Sequence, residues 1–123
     1  MKLFLGLSAV ALVIAVGLVL VWPFGAQAAG CPGRMVGASW YGAESGNRTA
    51  SGHYFDGTQL LVAHKTLPFG TKVRITYRGK SIVVPVLDRG PFIAGREVDL
   101  SRAVAKRIGF LAAGVGKVCM EVL

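Results

Sequence analysis

Groups able to bind metals or carry protons are scarce in this chain. Its 123 residues include only six carboxylates, two histidines and two cysteines. So few ligands argue against a metal centre, and no organic cofactor is implied. There is no low-complexity tract and no internal repeat, which excludes a repeat array, and no second domain fits beside the first. Acidic residues are outnumbered by fourteen Lys and Arg, for a formal charge of +8 that falls by one if Lys2 is removed. A basic domain of this size suits a polyanionic surface such as a cell wall or membrane headgroups, and simple solubility is the plainer alternative.

What is present first is a long apolar run. Lys2 precedes an unbroken stretch from Leu3 to Trp22, ended by Pro23 and Gly25 and followed by Ala26-Gln27-Ala28. A positive start, an apolar middle and a small-x-small ending predict an export signal over residues 1–28. The run is also long enough to span a bilayer uncleaved, as an N-terminal anchor. Ala28-Ala29-Gly30-Cys31 offers lipidation at Cys31 as a third route. All three place residues 29–123, one modest domain, outside the cytoplasm, in the periplasm or cell envelope. Nucleic acid is therefore not an expected partner. In an exported chain Cys31 and Cys119 read as a disulfide that brings the two ends of the domain side by side.

The mature part reads as short strands between turns. Met35–Tyr41 is a first strand, ending in Trp40 and Tyr41, which could offer stacking faces to a sugar ring or simply fill the core. Gly42–Gly52 is a polar, glycine-rich loop carrying Glu44 and Arg48. His53 and His64, the only histidines, flank Asp56-Gly57 and a short apolar strand, Leu60–Ala63. Lys72–Tyr77 alternates apolar and basic residues, a half-buried strand joined by Arg78-Gly79-Lys80 to Ser81–Leu87. Glu97–Leu100 is a fifth strand. Ser101 caps a short helix, Arg102–Ile108, with Gly109 closing it, and Asp99 braces the preceding loop. Gly114–Gly116 turns into a last strand, Val118–Leu123. The tally predicts a small, mainly β barrel of six strands with one or two short helices.

The stretch from Val83 to Phe92 carries most of the chemistry. An apolar, β-branched run ends in Asp88, and Arg89-Gly90-Pro91 must turn the chain at once. Pro85 cannot donate to a ladder, so a bulge or an edge is expected there. Asp88 is thus held at a strand end near the surface, where a glycan-cleaving acid should sit. On this stretch alone, the simpler reading is an Asx hydrogen bond capping the turn.

Longer motifs add to this. Ala38-Ser39-Trp40-Tyr41-Gly42, Thr49-Ala50-Ser51-Gly52, Ala63-His64-Lys65-Thr66-Leu67-Pro68-Phe69-Gly70-Thr71, Asp88-Arg89-Gly90-Pro91-Phe92, Val98-Asp99-Leu100-Ser101 and Glu121-Val122-Leu123 occur in this order. Together they resemble the rare lipoprotein A family from about residue 35 to the end. The resemblance implies a double-psi β-barrel, an architecture shared with expansins and some endoglucanases. It implies binding to peptidoglycan glycan strands stripped of stem peptides. It further implies lytic cleavage of the β-1,4 bond between N-acetylmuramic acid and N-acetylglucosamine, leaving a 1,6-anhydro ring. It assigns the catalytic group to Asp88, with Asp56 and His64. Trp40, Tyr41, His53, Glu44 and Arg89 are the expected substrate contacts, and a monomer is expected. One departure matters: His53 stands where the family commonly has glutamate. The cysteine pair is a second departure.

The chemistry sets a condition. Glycosidic cleavage needs a proton on the leaving oxygen, and hydrolases divide the work between two carboxyl groups. Attack by the sugar's own 6-hydroxyl removes the need for a separate nucleophile, so Asp88 alone could give and later take a proton. An ordinary aspartate is mostly ionised at neutral pH, so a buried setting or a neighbouring negative charge is needed, and Asp56 is the expected neighbour. Arg89 should point elsewhere. The alternatives are a non-catalytic, expansin-like wall-binding module, which His53 favours, and a hydrolytic glycanase.

Overall fold

The computed structural model describes residues 30–123, so the expected export segment over residues 1–28 lies outside the described residues. Six strands follow: β1 (Arg34–Tyr41), β2 (Val62–His64), β3 (Lys72–Tyr77), β4 (Lys80–Asp88), β5 (Val98–Ser101) and β6 (Val115–Val122). One helix, α1 (Arg102–Arg107), lies between β5 and β6, and a single 3₁₀ turn covers Ala43–Ser45. The strands close into a barrel in the order β1-β5-β2-β4-β3-β6. The pairs β1–β5 and β2–β4 are parallel and the other four antiparallel. This is the double-psi barrel that the motifs imply.

Period-two alternation builds the interior. Val36 and Ala38, Val73 and Ile75, Val84 and Val86, Val98 and Leu100, Val118 and Met120 all point inward and are buried. Each of these except Ala38 contributes about 1.5–3 kcal/mol on leaving water. Arg78 and Gly79 both take positive φ, 49° and 84°, which a two-residue hairpin between right-twisted strands requires. Ser101 caps α1 by accepting from the Val104 amide, 3.2 Å. Cys31 and Cys119 form a disulfide with Cα atoms 5.7 Å apart, tying the start of the domain to β6.

Three local expectations shift. The Ser81–Leu87 stretch, whose apolar run predicts a mostly buried strand, alternates instead: Val84 and Val86 are buried and Val83 is exposed, because a strand of a closed barrel turns every second residue to the outer face. The bulge is not at Pro85, which pairs with Lys72 at the first position of β3. It falls two residues later, at Leu87, between the Val62–Val86 and Ala63–Asp88 pairs. The last strand begins at Val115 rather than Val118. Gly116 is already inside it, where a Cβ would lie 3.4 Å from the Phe110 ring.

Candidate active site

The bulge at Leu87 decides where Asp88 points. Val84 and Val86 face the interior, so strict alternation would aim Asp88 inward as well. The extra residue resets the phase, and Asp88 emerges on the outer face opposite Ala63. Asp99 is opposite the same Ala63 from β5, and Ser39 is opposite Asp99 from β1. Ser39, Asp99, Ala63 and Asp88 thus form one row across four strands. Ala63 is small enough to leave the two carboxyl groups flanking an open space.

That space is a groove of about 350 Å³, lined by Asp88, Asp99, Tyr41, Arg48, Arg96 and the Arg89–Ile93 loop, among others. Asp88 Oδ1 accepts from the amides of Ala50 (2.8 Å) and Arg89 (2.9 Å). Its Oδ2 accepts from the Tyr41 hydroxyl at 2.7 Å. Three donors converging on one side chain suit a carboxylate, which only accepts. Asp99 accepts from Ser39 Oγ at 3.0 Å. Burial raises its carboxyl above the usual range, and the charges of Asp88 and Glu44 push the same way, against the Ser39 hydrogen bond and Arg96. Burial, followed by the bond to Asp88, pushes the Tyr41 phenol up, so its hydroxyl stays a donor.

The remaining sequence candidates disperse. The Arg89 guanidinium points away from Asp88, donating to the carbonyls of His64 (3.1 Å) and Leu67 (2.8 Å) over the Phe69 ring. Tyr41 lines the groove with its hydroxyl, but its ring is stacked on Phe55 and offers no free face. Trp40 points to the other side of β1, packs on the main core and donates to the Leu111 carbonyl. Asp56 does not line the groove. It folds onto its own turn, accepting from the Thr58 amide (3.0 Å) and hydroxyl (2.6 Å), and those bonds lower its pKa. The negative neighbour of Asp88 is Asp99 instead. His53 is exposed and bonds Ser51 Oγ at 2.8 Å. Glu44 accepts from the Gly42 amide and acts on the groove through its charge.

His64 is turned away from Asp56. Its Nδ1 accepts from the amides of Thr66 (3.1 Å) and Leu67 (3.2 Å), so the proton is on Nε2, which faces Glu97 at 3.4 Å. Glu97 is also paired with Arg34, and that hydrogen bond is the main reason its carboxyl sits below the usual range. His64 and Glu97 line a second cavity of about 480 Å³ together with Met35, Lys65 and Arg96. Among the described residues, no three His, Cys, Asp or Glu side chains cluster as a metal would require.

Sequence reasoning passed over Asp99 as a catalytic group. Its position two residues before a helix cap suggested a structural brace, and only the pairing of β5 with β2 brings it beside Asp88. Exposed apolar side chains at the groove come from the Phe92-Ile93 pair, with Phe92 79% exposed, rather than from Trp40 or Tyr41.

The site thus belongs to a closed double-psi barrel that carries two carboxyl groups along an outer groove. Comparison adds the family: the family model described as "Lytic transglycolase" matches residues 34–120, and the chain belongs to that family. The "Probable endolytic peptidoglycan transglycosylase RlpA" of Synechocystis is 48% identical over 89 residues, 70% of this chain and 28% of that protein. The "Endolytic peptidoglycan transglycosylase RlpA" of Pseudomonas aeruginosa PAO1 is 48% identical over 92 residues, 72% of this chain and 27% of that one. That of Vibrio cholerae is 47% identical over 89 residues, 70% of this chain and 34% of that one. The chain therefore spans about a third or less of these three relatives. Among solved structures, the Streptomyces papain inhibitor aligns with a TM-score of 0.60 and 26% identity, covering 74% of this chain and 96% of that one.

Proposed function

We propose that this barrel is an exported endolytic lytic transglycosylase that cuts the β-1,4 bond between N-acetylmuramic acid and N-acetylglucosamine in peptide-stripped glycan, leaving a 1,6-anhydro end. The observation that carries the reading is the Asp88–Ala63–Asp99 row along an open groove. The two carboxyl groups have different surroundings, as acid and base should. Asp99 keeps its proton to higher pH and is the group to protonate the leaving oxygen. Asp88, held as an acceptor by three donors, takes the proton of the 6-hydroxyl as that oxygen attacks C1. The double role expected of Asp88 is thereby divided between two residues. Arg89 fixes the loop after Asp88, and His64 with Glu97 supports the neighbouring wall. Neither His53 nor Asp56 takes part in proton transfer.

A second reading is a wall-binding barrel that grips glycan without cutting. Its non-cutting character is favoured by the fact that both Asp88 oxygens already hold hydrogen bonds, and by the occurrence of this barrel in a papain inhibitor. Digestion of amidase-stripped glycan separates the readings. Mass spectrometry should find anhydromuramyl ends with the wild-type protein and none with Asp88→Asn. Ends unchanged by the wild type reject the lytic reading, and new reducing ends would mark a hydrolase instead.

A further inference from the structure

Among the described residues, Arg96 is the groove arginine whose guanidinium makes no hydrogen bond, although its charge is felt by Asp99. Arg89 is spent on two carbonyls and the Phe69 ring, and Arg48 donates to the Gly52 carbonyl at 3.0 Å. Arg34, near the second cavity, is paired with Glu97. Among the described residues no hydrogen bond or ion pair engages the Arg96 guanidinium, although the residue is half-buried. It also lines both cavities, the one beside Asp88 and Asp99 and the one beside His64 and Glu97. Lys65, exposed, lines only the second.

Its place is built, not incidental. The Arg96 amide donates to the Ile93 carbonyl (3.1 Å), and the Glu97 amide to the Gly37 carbonyl (2.8 Å). Gly37 has no side chain because Gly95 lies against it: a Cβ there would be 1.9 Å from the Gly95 oxygen. The loop is therefore clamped onto β1, with Arg96 at the junction of the two cavities.

We infer that Arg96 is a specificity-determining residue that reads a carboxylate carried on the sugar chain lying through both cavities. This rests on the lytic reading above and names a residue for its substrate preference. In peptide-stripped glycan each muramyl lactyl group ends in a free carboxylate. With the stem peptide attached, the same carbon is a neutral amide. A guanidinium pairs with a planar carboxylate through two parallel hydrogen bonds and gains far less from an amide. An unpartnered guanidinium in the trench therefore selects stripped strands by charge, independently of the room a peptide would need.

The test uses two polymers: amidase-stripped glycan, and the same glycan with its lactyl carboxylates converted to methylamides by carbodiimide and methylamine. Binding of the folded protein to each is measured by sedimentation at low and moderate salt. Wild type should prefer the acidic polymer on the order of tenfold, and salt should shrink that preference. Arg96→Gln should lose the preference by weakening only the acidic polymer, and Arg96→Lys should recover part of it. Equal binding of both polymers by wild type overturns the role of Arg96 alone. So does an Arg96→Gln protein that keeps the preference, or that weakens on both polymers alike. Failure of wild type to bind either polymer overturns the peptidoglycan reading, and this inference with it.

Discussion

Asp88 and Asp99 stand opposite the same residue, Ala63, from strands on its two sides. They are eleven positions apart in sequence, yet no local rule links them. Their meeting depends on β2 lying between β4 and β5, and on one extra residue in β4.

If the extra residue at Leu87 is what turns Asp88 outward, deleting Leu87 should aim the carboxyl into an apolar interior. An uncompensated buried charge is strongly destabilising, so thermal unfolding should lose its cooperative transition. Combining the deletion with Asp88→Val should restore that transition. A deletion variant that folds as well without the second change would contradict the phase argument.

Asp88→Asn should lower the rate of anhydro-end formation by about 10²–10⁴-fold, the usual contribution of a positioned acid or base. Circular dichroism should show the barrel intact, since Asn keeps an oxygen to accept from the Ala50 and Arg89 amides.

Asp99→Asn should also abolish turnover while stabilising the protein at neutral pH. Burial raises the folded-state pKa of Asp99 above its ordinary 3.8, so the stability it contributes is complete below that value. That stability is lost as pH rises through the raised folded value. Asn does not titrate, so the melting temperatures of variant and wild type should converge in acid and separate, variant higher, toward neutrality. Parallel melting curves across the whole range would show that Asp99 ionises as freely in the fold as in the open chain.

Tyr41→Phe keeps the stack on Phe55 and deletes the donor to Asp88 Oδ2. The loss in stability should be about 1 kcal/mol, the usual net worth of one hydrogen bond. The rate should fall while affinity for the glycan is kept, because the hydroxyl orients a reacting group. An equal fall in affinity would make Tyr41 a binding residue instead.

The Cys31–Cys119 bond closes a loop of 88 residues, for which chain entropy predicts about 4–5 kcal/mol. Replacing both cysteines by serine should lower the denaturation midpoint by a corresponding amount, and a reducing agent should do the same to wild type but not to the variant.

The sequence by itself determined that there are six strands, the helix cap and the hairpin turn, though not every boundary. Alternation in Lys72–Tyr77, the Arg78-Gly79 turn, Ser101 before α1 and the paired cysteines all act over a few residues or through one covalent bond. The long motifs pointed to the barrel and to Asp88 for the same reason: they are contiguous. What the tertiary structure alone decided was company. Asp56 and His64 are expected beside Asp88 because the motifs they stand in resemble the family's. The barrel gives Asp56 to its own turn and His64 to Glu97, and Trp40 to the far side of β1. It brings in Asp99 from a strand that reads as scaffolding. Which face a side chain takes, and which strand is its neighbour, depend on register and on a single bulge. Register is fixed by non-local pairing, and a one-residue shift reverses every side chain beyond it.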